Sequence, residues 1–222
     1  ASRDSQPMNL QGIWNKFRYP AWGCKLTTNI NYEMNYWPAF TTNLEECFRP
    51  FVEKAKALQE PGNETARVHY NITNGWVLHH NTDLWNRTAP IDGEWGFWPT
   101  GGAWISNMLY DAYNFNQDTD YLNEVYPVIK GSADFLQTLM QPVNINGQEY
   151  LVINPSTSPE VAAPGNSGGQ GAYCSYGVTM DNGISRELFK NVINASNILG
   201  VDSSFRSTHQ SKVSQIKPNA IG

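Results

Sequence analysis

Asn29 and Asn31 lie two positions apart in the stretch from Thr27 to Pro38, which also carries Tyr32, Glu33, Asn35, Tyr36 and Trp37. Primary amides offer both donors and acceptors, and Tyr and Trp offer flat apolar faces. That mixture suits a ligand covered in hydroxyls, a sugar. In an extended segment the side chains of Asn29 and Asn31 point the same way. A neutral amide is a poor base. It can orient a water through its carbonyl oxygen, and it becomes more basic if a carboxylate pulls on its NH2 group. The competing reading is a pair of loop-capping amides.

A second candidate is Glu160, which follows Asn154-Pro155-Ser156-Thr157-Ser158-Pro159. Two prolines stiffen this loop and the apolar run Val161-Ala162-Ala163 follows. Desolvation there would raise the carboxyl pKa towards that of a general acid, whereas an ordinary solvated loop Glu would do nothing. Glycosidic cleavage needs such an acid, and on the opposite face a nucleophile or a base that activates water. A third cluster holds Trp76, His79, His80, Asn81, Asp83, Trp85, Arg87, Trp95 and Trp98. His79 and Asp83, four apart, would bind a metal only on a helix, and Gly75, Asn81-Thr82 and Pro90 argue for a loop. No metal site is therefore expected. Sugar contacts from His79, His80, Asn81, Trp85 and Trp98, with Trp37 from the first stretch, are the functional reading. Plain aromatic packing is the alternative.

The chain around these residues has 222 positions, enough for one domain with a substantial core. Its net charge of -5 comes without any basic run, so an electrostatic nucleic-acid footprint is not expected. Aromatics form 13% and charged residues 16% of the chain, which favours a carbohydrate-active protein over a cytosolic nucleotide enzyme. Three cysteines, Cys24, Cys47 and Cys174, match neither a disulfide scaffold nor a zinc spacing, though one bridge would be possible. No apolar run is long enough to span a membrane. Sequons at Asn63, Asn71, Asn86 and Asn194 permit secretion, although chance supplies such short motifs in an Asn-rich chain.

The elements that must position these groups read mainly as helices. Asn43 with Glu46 resembles a capping box ahead of an apolar series from Leu44 to Leu58, interrupted at Pro50 and stopped by Pro61-Gly62. Gly101-Gly102 open a second run through Phe115, and Asp118 or Thr119 caps a third through Leu139. A fourth runs from Met180-Asp181 to Gly200, and a weaker one from Ser203 to Lys217. Tyr150 to Ile153 is the one convincing strand, after a turn at Asn146-Gly147. The glycine-rich stretch from Pro164 to Tyr173 should be exposed or mobile. Long helices joined by aromatic-rich loops suggest an all-α toroid with its function in the loops at one end; a compact bundle is the alternative.

Several blocks together resemble a known family. Asn9 to Asn15, Pro20-Ala21-Trp22, Asn29-Ile30-Asn31 and Glu33 to Pro38 are similar to segments of glycoside hydrolase family 95. So are His79 to Trp85, Trp98-Pro99, Gly101 to Trp104 and Ser158-Pro159-Glu160, in the same order. The resemblance implies inverting α-L-fucosidase or α-L-galactosidase activity in an (α/α)6 barrel, with no cofactor. It implies Glu160 as general acid, and Asn31 with Asn29 as the amides that activate water. The substrate implied is a fucosylated or L-galactosylated oligosaccharide or plant cell-wall glycan, and the setting secreted or extracellular. Some members carry His where this chain has Thr27. The smaller side chain would leave room for the C6 hydroxyl of L-galactose.

The family's aspartate base has no matching motif here, Asp181 stands in the wrong context, and the N-terminal β-sandwich has no counterpart. Residues 1–222 are therefore expected to be a fragment of one catalytic domain, the first half of its barrel, and inactive in isolation. The competing reading is a non-catalytic or degenerate sugar-binding half-barrel.

Overall fold

Apolar periodicity builds three long helices that carry most of the core. They are α5 (Gly101–Asn116), α6 (Thr119–Leu139) and α7 (Thr179–Leu199), packed on one another. Phe135, Leu122, Ile105, Leu109 and Phe189 are fully buried among them. Before these come α1 (Asn31–Met34), α2 (Pro38–Thr41), α3 (Arg49–Ala57) and α4 (Gln59–Tyr70); α8 (Ser203–Gln215) follows and packs on α7. The computed structural model describes residues 6–12, 15–162 and 173–219. The glycine-rich stretch read above as exposed or mobile lies outside the described residues but for Tyr173.

The long helices begin and end where their terminal groups find partners. Asp118 caps α6, its side chain accepting from the amides of Asp120 and Tyr121 at 2.9 and 3.3 Å. Gly200 ends α7 in the left-handed conformation, φ 70°. Only two residues separate α5 from α6, which makes them a helical hairpin.

The N-terminal part departs from expectation. Asn43 does not cap a helix; it sits at φ 58°, and the turn that follows, Glu45–Phe48, starts after Leu44 without a side-chain cap. Pro50 and Pro61 stand in the first turns of α3 and α4, where an amide N–H has no helical acceptor to lose. Pro61-Gly62 therefore lies inside a helix rather than stopping one.

Two antiparallel pairs complete the fold. β1 (Leu26–Thr27) pairs with β2 (Asn81–Thr82), placing Thr27 opposite Asn81. β3 (Met140–Ile145) pairs with β4 (Gln148–Ile153) around the Asn146-Gly147 turn, so the expected strand is half of a hairpin. The β1–β2 pair has no signal in the sequence, because a two-residue ladder is too short for alternation to show. Among the described residues no helix is long and apolar enough to cross a membrane. All three cysteines are free thiols.

Candidate active site

Three separated stretches meet at one cleft. The β1–β2 ladder sets its floor and is pressed against the N-terminus of α5. A Cβ on Gly101 would lie 2.5 Å from Thr28 Oγ1 and 2.9 Å from the His79 carbonyl, so only glycine admits this approach. From β4 the chain runs through Ser156, whose backbone exchanges two hydrogen bonds with Ser175, at 2.8 and 2.7 Å. This pairing anchors the segment that leads to Glu160, which a turn closed by Val161 N–H to the Ser158 carbonyl presents. The Asn29 amide donates to the Pro159 carbonyl at 3.4 Å and ties the N-terminal segment to that turn.

The cleft has a volume of about 380 Å³. Thr27, Asn31, His80, Asn81 and Glu160 line it, all of them expected from sequence. Leu10, Trp22, Lys25, Asp92 and Trp95 line it too. Trp22 and Trp95 belonged to motifs already singled out, but no local signal marks Lys25 and Asp92, which meet across a long sequence separation.

Hydrogen bonds fix the polarity of this wall. Asp92 accepts from Lys25 Nζ on one oxygen and from Asn81 Nδ2 at 2.6 Å on the other. Asn81 Oδ1 accepts from Thr27 Oγ1 at 2.7 Å, and Asn81 Nδ2 lies 2.8 Å from His80 Nδ1. His80 Nε2 is buried and 3.8 Å from Glu160 Oε1. Burial lowers the His80 pKa, opposed by Glu160 and Asp92 and assisted by Lys25.

Other expected residues sit elsewhere. Asn29 is buried beside the cleft and serves as the tie described above. Asn29 and Asn31 are not side by side on an extended segment: Asn29 is in a turn and Asn31 opens α1. The buried His79 ring lies 2.6 Å from Tyr70 Oη and 2.7 Å from the Thr88 carbonyl, and burial lowers its pKa to about 4. Asp83 caps its own loop, accepting from the amides of Trp85 and Arg87, so it makes no ligand pair with His79. Trp98 is fully buried and its indole donates to Asp181 at 2.8 Å. Trp37 and Trp85 lie outside the cleft, and Trp85 is 87% exposed. Glu160 is not desolvated as expected: its side chain is 59% exposed.

The whole chain, residues 1–222, matches the model of the glycosyl hydrolase family 95 catalytic domain. It is 40% identical over 202 residues to Alpha-L-fucosidase 2 of Arabidopsis thaliana, covering 88% of this chain and 23% of that protein. It is also 32% identical over 218 residues to Probable alpha-fucosidase A of Aspergillus niger, covering 96% and 27%. The chain thus spans about a quarter of the length of these relatives.

Proposed function

The chain belongs to glycosyl hydrolase family 95, and we propose that it carries the acid side of a site hydrolysing terminal α-L-fucose or α-L-galactose with inversion. The observation that carries this reading is the shared cleft, where Asn31 faces the same space as Glu160. Glu160 gives its proton to the leaving glycosidic oxygen. Asn31 orients the attacking water from the other face, with Asn29 holding the acid loop in place. Inversion requires a second carboxylate, roughly 6.5–9.5 Å from the acid, to leave room for that water. Asp92 is occupied by Lys25 and Asn81, so the base comes from outside these residues, in a longer protein whose helices complete an (α/α)6 barrel.

Thr27 bears on the sugar. Its hydroxyl proton is committed to Asn81, so it offers acceptor lone pairs to a ligand. An acceptor at this point favours the C6 hydroxyl of L-galactose over the C6 methyl of L-fucose. Fucosylated or L-galactosylated oligosaccharides and plant cell-wall glycans are the proposed substrates. Secretion is proposed with them, since Asn63, Asn71 and Asn194 present exposed sequons. Secretory expression should yield an endoglycosidase-sensitive mass, and a chain bare at all the sequons would count against secretion.

The test is proton NMR of hydrolysis by a longer protein containing this cleft. Inversion releases the β-anomer first; initial release of the α-anomer would refute it. The exposure of Glu160 and the engagement of Asp92 favour a second reading, a sugar-binding protein without catalysis. Saturable L-fucose binding with no turnover in that longer protein would select it.

A further inference from the structure

Chemistry fixes the orientation of the Asn81 amide in the cleft wall without ambiguity. A carboxylate only accepts, so the atom facing Asp92 Oδ2 at 2.6 Å must be the NH2 group. Asn81 Oδ1 then faces Thr27, which donates to it. One amide hydrogen goes to Asp92, and the other is left for His80 Nδ1 at 2.8 Å. That nitrogen must therefore accept, and the imidazole proton must sit on Nε2. His80 Nε2 is buried, has no hydrogen-bond partner among the described residues, and lies 3.8 Å from Glu160 Oε1.

We propose that Lys25, Asp92 and Asn81 form a directional chain that locks His80 as a neutral Nε2–H donor towards the Glu160 carboxylate, making His80 a positioning residue for the acid. The proposal rests on the reading of Glu160 as the acid. Once Glu160 has given up its proton, His80 N–H stabilises the carboxylate left behind. Protonation of Nδ1 would set two N–H groups against each other, so His80 does not compete as an acid. The gap of 3.8 Å exceeds a hydrogen bond; such contacts often tighten only when substrate binds. Asp92 adopts φ 75°, a left-handed conformation that Asp tolerates better than most residues, and this presents its carboxylate to both Lys25 and Asn81. The charged groups facing His80 come from separate segments: Lys25 from before β1, Asp92 from the loop after β2, and Glu160 from the loop after β4.

Nitrogen-15 NMR of the imidazoles in the full 222-residue chain reads this directly and needs no turnover. In the unsubstituted chain His80 should show an unprotonated Nδ1 and a protonated Nε2 throughout the neutral range. Asp92→Asn frees the Asn81 amide to turn, so an Nδ1–H population should appear. Glu160→Gln removes the anion facing Nε2, and the His80 titration should move to lower pH. Protonated Nδ1 at neutral pH in the unsubstituted chain would overturn the proposal, as would a His80 titration unmoved by Glu160→Gln. Either result leaves the hydrolase reading standing. Absence of hydrolysis by a longer protein containing this cleft, with the expected spectra, would sink that reading instead.

Discussion

Asp181→Asn should stabilise the chain at neutral pH and flatten its pH dependence below neutrality. Asp181 is fully buried in the first turn of α7, where its Oδ1 accepts from Trp98 Nε1 at 2.8 Å and Thr100 Oγ1 at 2.7 Å. Burial outweighs the hydrogen bonds that Ser156, Thr100 and Trp98 offer the carboxylate, and its pKa rises from 3.8 to about 6. The folded chain therefore keeps a proton up to about pH 6 that the unfolded chain releases near 3.8. Within that window the folded state binds more protons, so stability falls as pH rises and the full cost is present above it. The gap corresponds to about 3 kcal/mol. Asn keeps an acceptor for both donors and removes the charge. Urea unfolding followed by circular dichroism at pH 4 and pH 7 should show the variant gaining on the parent by up to about 3 kcal/mol between those values. A stability difference that does not change with pH would refute the argument. Asp181→Ala should instead cost about 1–3 kcal/mol for each donor left without a partner.

Three further outcomes are expected. Glu160→Gln, in a longer active protein containing this cleft, should lower hydrolysis of a poor leaving group by roughly 10²–10⁴ and spare activated aryl substrates; equal losses on both would remove the acid role. Thr27→His in the same protein should shift preference from α-L-galactosides towards α-L-fucosides, and an unchanged ratio of kcat/KM values would count against the acceptor argument. Gly101→Ala should cost about 1–3 kcal/mol, because its Cβ would meet Thr28 Oγ1 at 2.5 Å; a melting temperature equal to that of the parent would show that the ladder yields.

The long helices were legible because their signals are local. Apolar periodicity marked α5, α6 and α7, Asp118 marked a start, and Gly200 marked a stop. Proline misled around Pro61: its effect depends on its place in the helix, which spacing alone does not reveal. The site was legible in types and only partly in positions. Thr27, Asn31, His80, Asn81 and Glu160 share the cleft. His79 and Trp98 offer the same chemistry on paper but spend it on Tyr70, Thr88 and Asp181. A polar tip on a buried ring needs a partner, and whether that partner is protein or ligand is decided by contacts far away in sequence. The meeting of Lys25 with Asp92 is of the same kind.

The polarity of the cleft leads to a last prediction, that the 222-residue chain alone binds sugar without appreciable turnover. Among the described residues lining the cleft, the carboxylates are Asp92 and Glu160. Asp92 has one oxygen on Lys25 and the other on Asn81, so taking a proton from water would break a charge-assisted bond. A carboxylate does pull on an amide here, but that amide is Asn81, and its oxygen is already taken by Thr27. Asn31 lines the cleft, among the described residues no carboxylate hydrogen-bonds its amide, and an unassisted amide has almost no basicity. Aryl α-L-fucoside and α-L-galactoside assays on the folded chain, with helicity checked by circular dichroism, decide the matter. Robust turnover would mean that Asp92 or Asn31 works as a base despite these bonds, and the role of the Asp92–Asn81 pair would have to be rewritten.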